Sequence, residues 1–244
     1  MEKTNTNDIK ISGSGTVGGG KYNEVSISGT GKINGNVECV DFKTSGSSKV
    51  LGDLKAGTIK ISGSTRIEGN VEVEEMKISG SSHVIGNVKS QSIKISGSTH
   101  IQGNLHAEEV TIAGSANIEK NCEAECFKAS GCFKIQGLLN AGQINIRIGG
   151  NCNVQEIGGE HIEVRVSPID NSFFKKVIDK MFNSKGELTT TLIEGDEIYL
   201  QNTNAKIVRG NHITIGEGCN IGLVEYSGEI MISSDSIVGE QKHI

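Results

Sequence analysis

Apolar and polar residues alternate along most of the first 166 positions, and the alternation itself repeats. The phrase I-K-I-S-G-S, with small variations, places a glycine at Gly46, Gly63, Gly80, Gly97, Gly114 and Gly131, each 17 residues after the last. Gly29 lies 17 residues before Gly46, and Gly13 lies 16 before Gly29. A second glycine series follows six residues behind, at Gly35, Gly52, Gly69, Gly86, Gly103 and Gly137. Asn36, Asp53, Asn70, Asn87 and Asn104 follow the first five of these, and Lys120 interrupts the series. A fixed period of this length predicts stacked units that bury their apolar faces only against their neighbours, so the sequence is best read in columns.

Four residues before the first glycine stand Val25, Phe42, Ile59, Met76, Ile93, Val110 and Phe127; two before it stand Ile27, Ile61, Ile78, Ile95 and Ile112, with Thr44 as the exception. Four after it come Ile33, Val50, Ile67, Val84, Ile101, Ile118 and Ile135, and eight after it Val37, Leu54, Val71, Val88, Leu105 and Cys122. Each column is flanked by polar positions, the pattern of strands with one buried face. Every repeat thus predicts three short strands, turned at the S-G-S corner, at the Gly-Asn corner and at a third corner near residues 39–41. The expected fold is all-β: a parallel β-helix solenoid of triangular 17-residue turns. One turn cannot fold alone, because a handful of buried aliphatics at about 1.5–3 kcal/mol each barely offsets about 1–2 kcal/mol of backbone entropy per residue.

Beyond Gly131 the register loosens. Ile144, Ile146 and Ile148 recur 18 residues later as Ile162, Val164 and Val166, so the repeats are expected to span residues 9–166 after a polar tail of residues 1–8. Residues 167–192 break the pattern. They hold the only proline, Pro168, and set Phe173, Phe174, Val177, Ile178, Met181 and Phe182 at helical spacing among Lys175, Lys176, Asp179 and Lys180. A short amphipathic helix is expected there, packed on the coil as a cap, or serving as a contact for a partner or a membrane surface. Strand spacing resumes at Ile198/Leu200, Ile213/Ile215 and Ile230/Ile232, giving C-terminal coils over residues 193–238 and a tail over 239–244.

Composition narrows the function classes. Thirty-three glycines, a single proline and no tryptophan in 244 residues suit tight corners between short strands. A net charge of −5 offers no basic field for a phosphate backbone, which argues against nucleic acid as a partner. Residues 1–8 do not read as a signal peptide and no apolar run reaches about 18 residues, so the expected location is the cytoplasm, with the inner face of the membrane as a second address. Cys39, Cys122, Cys126, Cys132, Cys152 and Cys219 include no C-x-x-C pair. Cys39 and Cys122 occupy apolar columns, and all six read as reduced thiols rather than metal ligands.

Charged columns run along the outside. Lys43, Lys60, Lys77, Lys94 and Lys128 form one column, and Asp41, Glu75 and Glu109 belong to a column two positions before it, as expected for ion pairs on a solvated face. A more basic column, Lys32, Lys49, Arg66, His83, His100 and Lys134, would repel itself unless an anionic partner shared it, or would keep sheets from sticking laterally. Gly13, Gly15 and Gly18 satisfy G-x-G-x-x-G, but a further β repeat follows where a phosphate cradle needs a helix. The persistent 17-residue step departs from the 18-residue turn of hexapeptide acyltransferases. The long loops that build the grooves of β-helical lyases are missing from residues 9–143. No catalytic residue, cofactor or metal is expected.

The tandem motif I-[KS]-I-S-G-S-x-x-I-x-G-N-V resembles that of the bactofilins, a bacterial polymer-forming cytoskeletal family, over about residues 9–166. Residues 194–226 resemble the C-terminal part of longer bacillar members. The resemblance implies a right-handed β-helix that joins end to end into nonpolar, nucleotide-independent filaments and acts as a scaffold for cell-envelope, shape or motility machinery. Its partners would be further copies of itself, a paralogue, or envelope and motility proteins. The open edge of the first coil, with Ile9, Ile11 and Val17, is the expected polymer contact. Two other readings remain at this stage: a non-polymerising β-helical envelope adaptor and a carbohydrate-active β-helix enzyme.

Overall fold

The computed structural model describes residues 7–166 and 186–244, and among them every regular element is a β-strand. The proposed helix over Phe173, Phe174, Val177, Ile178, Met181 and Phe182 lies outside the described residues. The chain divides into two compact units, residues 1–124 and 125–244, each a parallel β-solenoid.

In the first unit, β1 (Ile9–Ile11) and β2 (Ser14–Ile27) precede the long strands β3 (Thr30–Thr44), β5 (Leu54–Ile61), β7 (Val71–Ile78), β9 (Val88–Ile95) and β11 (Leu105–Ile112). These alternate with the four-residue strands β4 (Ser47–Val50), β6 (Ser64–Ile67), β8 (Ser81–Val84), β10 (Ser98–Ile101) and β12 (Ser115–Ile118). Each strand pairs in parallel with its counterpart one repeat on, so that Phe42 lies on Ile59, Ile59 on Met76 and Met76 on Ile93. The 17-residue period is therefore the register of the sheet. One turn buries Ile67, Val71, Val73, Met76 and Ile78, none more than 5% exposed.

From β4 to β12 each turn contains two strands where the sequence predicts three, and β2 and β3 each run through a turn as one continuous strand. The third corner does exist, inside the longer strand. Along β7, Val73 points inward, Glu74 and Glu75 both point out, and Met76 points inward again. Glu74 drops out of the pairing on this side, as do Val40 and Gly57 in their turns. The backbone turns through a phase change in the alternation, without a loop.

The two other corners are held differently. At the Gly-Asn corner, Asn36 Oδ1 accepts the Asp53 amide at 2.9 Å, Asp53 Oδ1 the Asn70 amide at 2.7 Å, Asn70 Oδ1 the Asn87 amide at 2.9 Å and Asn87 Oδ1 the Asn104 amide at 2.8 Å. At the S-G-S corner the backbone is packed against itself: Ser47 N–H donates to Gly29 O at 2.8 Å and Ser64 N–H to Gly46 O at 2.9 Å. A Cβ at Gly80 would meet Gly63 O at 2.0 Å, which explains why this column admits only glycine. A sixth inward column, beside the apolar ones, is polar: Ser48, Thr65, Ser82 and Thr99 are all buried, with Ser48 and Thr65 hydroxyls bonded at 2.8 Å.

The chain leaves the first unit within β13 (Cys122–Ala129). The second unit continues with β14 (Cys132–Ile148), β15 (Cys152–Val166), β16 (Leu188–Leu200), β17 (Thr203–Ile215), β18 (Asn220–Tyr226), β19 (Ile230–Ile232) and β20 (Ile237–His243). The expected 18-residue step is present, with Ile144 on Ile162 and Ile146 on Val164. Ile162 then pairs with Ile198, so the ladder resumes in register on the far side of residues 167–185. Ile198 pairs with Ile213 and Ile213 with Ile230, the C-terminal coils that the strand spacing predicts.

Crowding at the S-G-S corner is directly testable. Gly80→Ala should lower stability by more than about 2 kcal/mol, whereas Gly13→Ala, where nothing lies within 4 Å of the new methyl, should stay within about 0.5 kcal/mol of the parent. Urea unfolding midpoints compared for the two variants would check this.

Candidate functional site

The candidate sites of a solenoid are its terminal turns and its outer columns. In the first unit β1 pairs with β2 alone among the described residues, placing Ile9 on Val25 and Ile11 on Ile27. Ile9 and Ile11 are 9% and 8% exposed, and Val17 is half-buried. The three residues expected at a polymer contact thus share one turn, with the two isoleucines turned inward. Tyr22 stands in the column occupied later by Cys39, Ala56 and Val73, and its hydroxyl donates to Gly18 O at 2.9 Å, bridging two corners of the turn. This end therefore offers the β1 backbone edge together with Val17 and Tyr22.

The last turn of the second unit is more apolar on its outside. β19 pairs with β17, and β20 with β18. Ile213, Ile215 and Ile221 are 1% exposed, but their counterparts one turn later, Ile230, Ile232 and Val238, are only partly covered. Met231 and Ile237 occupy outward positions that hold Thr214 and Asn220 one turn earlier, and are 64% and 70% exposed. Apolar residues in polar columns were the available sequence signal for this patch.

The basic column assembles as expected in the first unit, with Lys32, Lys49, Arg66, His83 and His100 in register on successive turns; Lys134 belongs to the second unit, paired with Asn153. Its charge is largely answered from within. Glu68 lies 2.8 Å from Lys49 and 3.8 Å from Arg66, and Glu119 lies 2.7 Å from His100. Hydrogen bonding to Lys49 holds the Glu68 carboxyl below its ordinary range. Arg66 Nη1 donates to His83 Nδ1 at 2.9 Å, which leaves the His83 proton on Nε2, a buried atom without a hydrogen-bond partner. The His83 and His100 rings stack at 4.7 Å. Burial, followed by the charges of Arg66 and His100, lowers the His83 pKa. This is a proton-sensitive point in the column, which also holds the buried, unpartnered Oδ1 of Asn117 one turn beyond His100, and it offers an incoming anion little unpaired charge.

Two members of the lysine column are likewise paired, Lys77 along its strand and Lys43 both along its strand and with the preceding turn. Lys43 reaches Glu24 at 3.2 Å and Asp41 at 3.4 Å, and Lys77 reaches Glu75 at 2.7 Å. Asp41 accepts from the Thr58 hydroxyl, and this bond, with Lys43, lowers its pKa. A third column escaped the sequence reading. Lys21, Glu38, Lys55, Glu72, Lys89, His106 and Glu123 stand in one line of register, and their charges alternate along the axis from Lys21 to Lys89, where His106 interrupts the alternation. Lys21–Glu38, Lys55–Glu72 and His106–Glu123 pair at 3.0, 2.8 and 3.3 Å. Reading the position nine after each first glycine would have shown it.

In the second unit Arg209 contacts Glu194 at 3.2 Å and Glu225 at 2.7 Å, and the Arg165 guanidinium lies 4.1 Å from the Tyr199 ring centre. Cys39, Cys122, Cys152 and Cys219 are buried, Cys126 is half-buried and Cys132 exposed, all as free thiols. Burial pushes Cys39 and Cys122 up to about 12 and Cys152 to about 11. Among the described residues no group of three or more His, Cys, Asp or Glu side chains is placed to hold a metal ion, and no helix is long and apolar enough to cross a membrane.

No protein-family model matches this sequence, and no solved structure matches it. It is similar to the uncharacterized protein YhbF of Bacillus subtilis strain 168, with 46% identity over 74 residues, 30% of this chain and 27% of that protein. It is also similar to the uncharacterized protein YhbE of the same strain, with 62% identity over 42 residues, 17% of this chain and 18% of that protein. The matched stretches thus span well under two thirds of either relative.

Two measurements follow from these environments. Because the folded His83 pKa is lowered, its contribution to stability should be complete above the ordinary histidine value of about 6.5 and decline as pH falls below it. Melting temperatures of the parent and His83→Gln should therefore run parallel above that pH and converge below it. Thiol labelling of the native protein should modify Cys132 first and Cys126 more slowly, with the remaining four reacting only on unfolding.

Proposed function

We propose that this protein is a structural scaffold of the bactofilin type, whose chains associate end to end into filaments without a nucleotide. The observation that carries this reading is the last turn of the second unit. There Ile230, Ile232 and Val238 occupy core columns with incomplete cover, next to the exposed Met231 and Ile237, beside a β20 edge that pairs only with β18 among the described residues. Unpaired strand edges with an apolar lining are disposed to add further strands. The β1 edge, with Val17 and Tyr22, is the corresponding surface at the start of the first unit. Pairing of like ends would be two-fold and would produce a filament without polarity. A scaffold role in the cell envelope, in shape or in motility follows from the family resemblance, and the filament would present its charged columns to those partners.

Electron microscopy and pelleting of the purified protein test the proposal. Filaments should form in the absence of nucleotide, and added ATP or GTP should alter neither their length nor the melting temperature. Ile237→Lys and Val17→Lys should each shorten the assemblies to small species while preserving the β-sheet circular dichroism spectrum, because each coil depends mainly on its neighbours. Filaments of ordinary length in the double variant, or assembly that requires nucleotide, would refute the reading.

A further inference from the structure

The alternating ladder has properties that its internal ion pairs do not explain. It is more exposed than the other ion-paired columns of the first unit. Side chains of Lys21, Glu38, Lys55 and Glu72 are 51–73% exposed, against 36–49% in the pairs Lys43–Asp41, Lys49–Glu68 and Lys77–Glu75. It also forms a ridge between two grooves of about 540 Å³ each. One is floored by the Gly-Asn corner at Asn36, Asp53 and Asn70, the other by Ala56, Gly57 and Ser90 at the third corner. Finally, its pairing is incomplete: Lys89, next in line after the Lys55–Glu72 pair, makes no ion pair among the described residues.

Charge that alternates at the spacing of the turns, about 4.8 Å, is matched by a surface with the same axial repeat and the same alternation. A second copy of this chain has both. We propose that this ridge is a lateral self-association surface, on which two copies lie antiparallel about a two-fold axis at the Lys55–Glu72 pair, each ridge seated in the other's third-corner groove. In that register Lys55 of each copy faces Glu72 of the other, so that two ion pairs become a square of four alternating charges. Glu38 faces Lys89 of the second copy on both flanks, and the unpaired lysine acquires its partner. Only the outermost step, Lys21 against His106, lacks opposite charge, and there each side chain retains its own glutamate, Glu38 at 3.0 Å and Glu123 at 3.3 Å. A two-fold contact of this kind uses one self-complementary patch. Because it is built from exposed charges it is weak and sensitive to salt.

The two-fold centre of the ridge, Glu38 to Lys89, lies beyond the turn that carries Val17 and Tyr22, of which the ridge includes only Lys21, so the inference goes beyond the end-to-end reading and can be tested without it. Sedimentation velocity on the full chain carrying Val17→Lys and Ile237→Lys, which removes the proposed end contacts, isolates the lateral one. A dimer is expected at 50 mM NaCl, with affinity falling at least about ten-fold by 500 mM. Lys89→Glu breaks no internal ion pair and sets a second carboxylate against Glu38 on both flanks. It should weaken the dimer by about ten-fold or more, and Glu38→Lys added to it should restore association by reversing both charges. Absence of a dimer at low salt, a dimer indifferent to Lys89→Glu, or no rescue by the double reversal would each overturn the proposal. Filament formation by the chain with its native ends, scored separately, reports on the end contacts alone.

Discussion

Everything in this molecule depends on the parallel backbone ladder between one turn and the next. A turn closed on itself has too little apolar area to hold its own backbone, so its stability resides in the amides and carbonyls it shares with the turns above and below. That sharing is possible only if the register is preserved, and the register is the 17-residue period itself. Phe42, Ile59, Met76 and Ile93 lie on one another because they are equally spaced in the sequence. The glycines follow from the same constraint: stacked S-G-S corners leave no room for a side chain between Gly80 and Gly63 O.

This dependence explains what could be read from the sequence. Columns of apolar residues give the inward face directly, which is why the fold class, the 18-residue step at Ile144 and Ile162, and the C-terminal coils were all legible. The third corner was legible only as a location. Because it is made by two consecutive outward residues, such as Glu74 and Glu75, it leaves the strand unbroken, and alternation alone cannot distinguish a sharp bend from a break. The inward hydroxyl column of Ser48, Thr65, Ser82 and Thr99 was hidden for a different reason. Serine and threonine at a corner look solvent-facing until the stacking shows which way each points.

Surface chemistry was harder to read because charge on a solenoid is balanced in two directions. Lys77 meets its carboxylate along a strand, Lys21 and Lys55 meet theirs across turns, and Lys43 does both, with Asp41 and Glu24. A search for like charges finds the first kind of column and passes over the second. The basic column looked like a binding strip in sequence because its counter-charges, Glu68 and Glu119, occur in only some of the turns. The terminal residues posed the converse problem: Ile9 and Ile11 carry the repeat pattern to the start of the first coil, yet the more exposed apolar surface belongs to Met231 and Ile237, outside the pattern.

The asparagine ladder is directional. Every Oδ1 from Asn36 to Asn87 accepts an amide from the turn that comes later in the chain. A completed turn therefore displays an acceptor for a turn that does not yet exist. During synthesis at about 5–20 residues per second, each new 17-residue turn would emerge every one to three seconds or so onto a template already in place. The molecule is suited to being wound from its N-terminus as it is made, with no long-range search for strand partners.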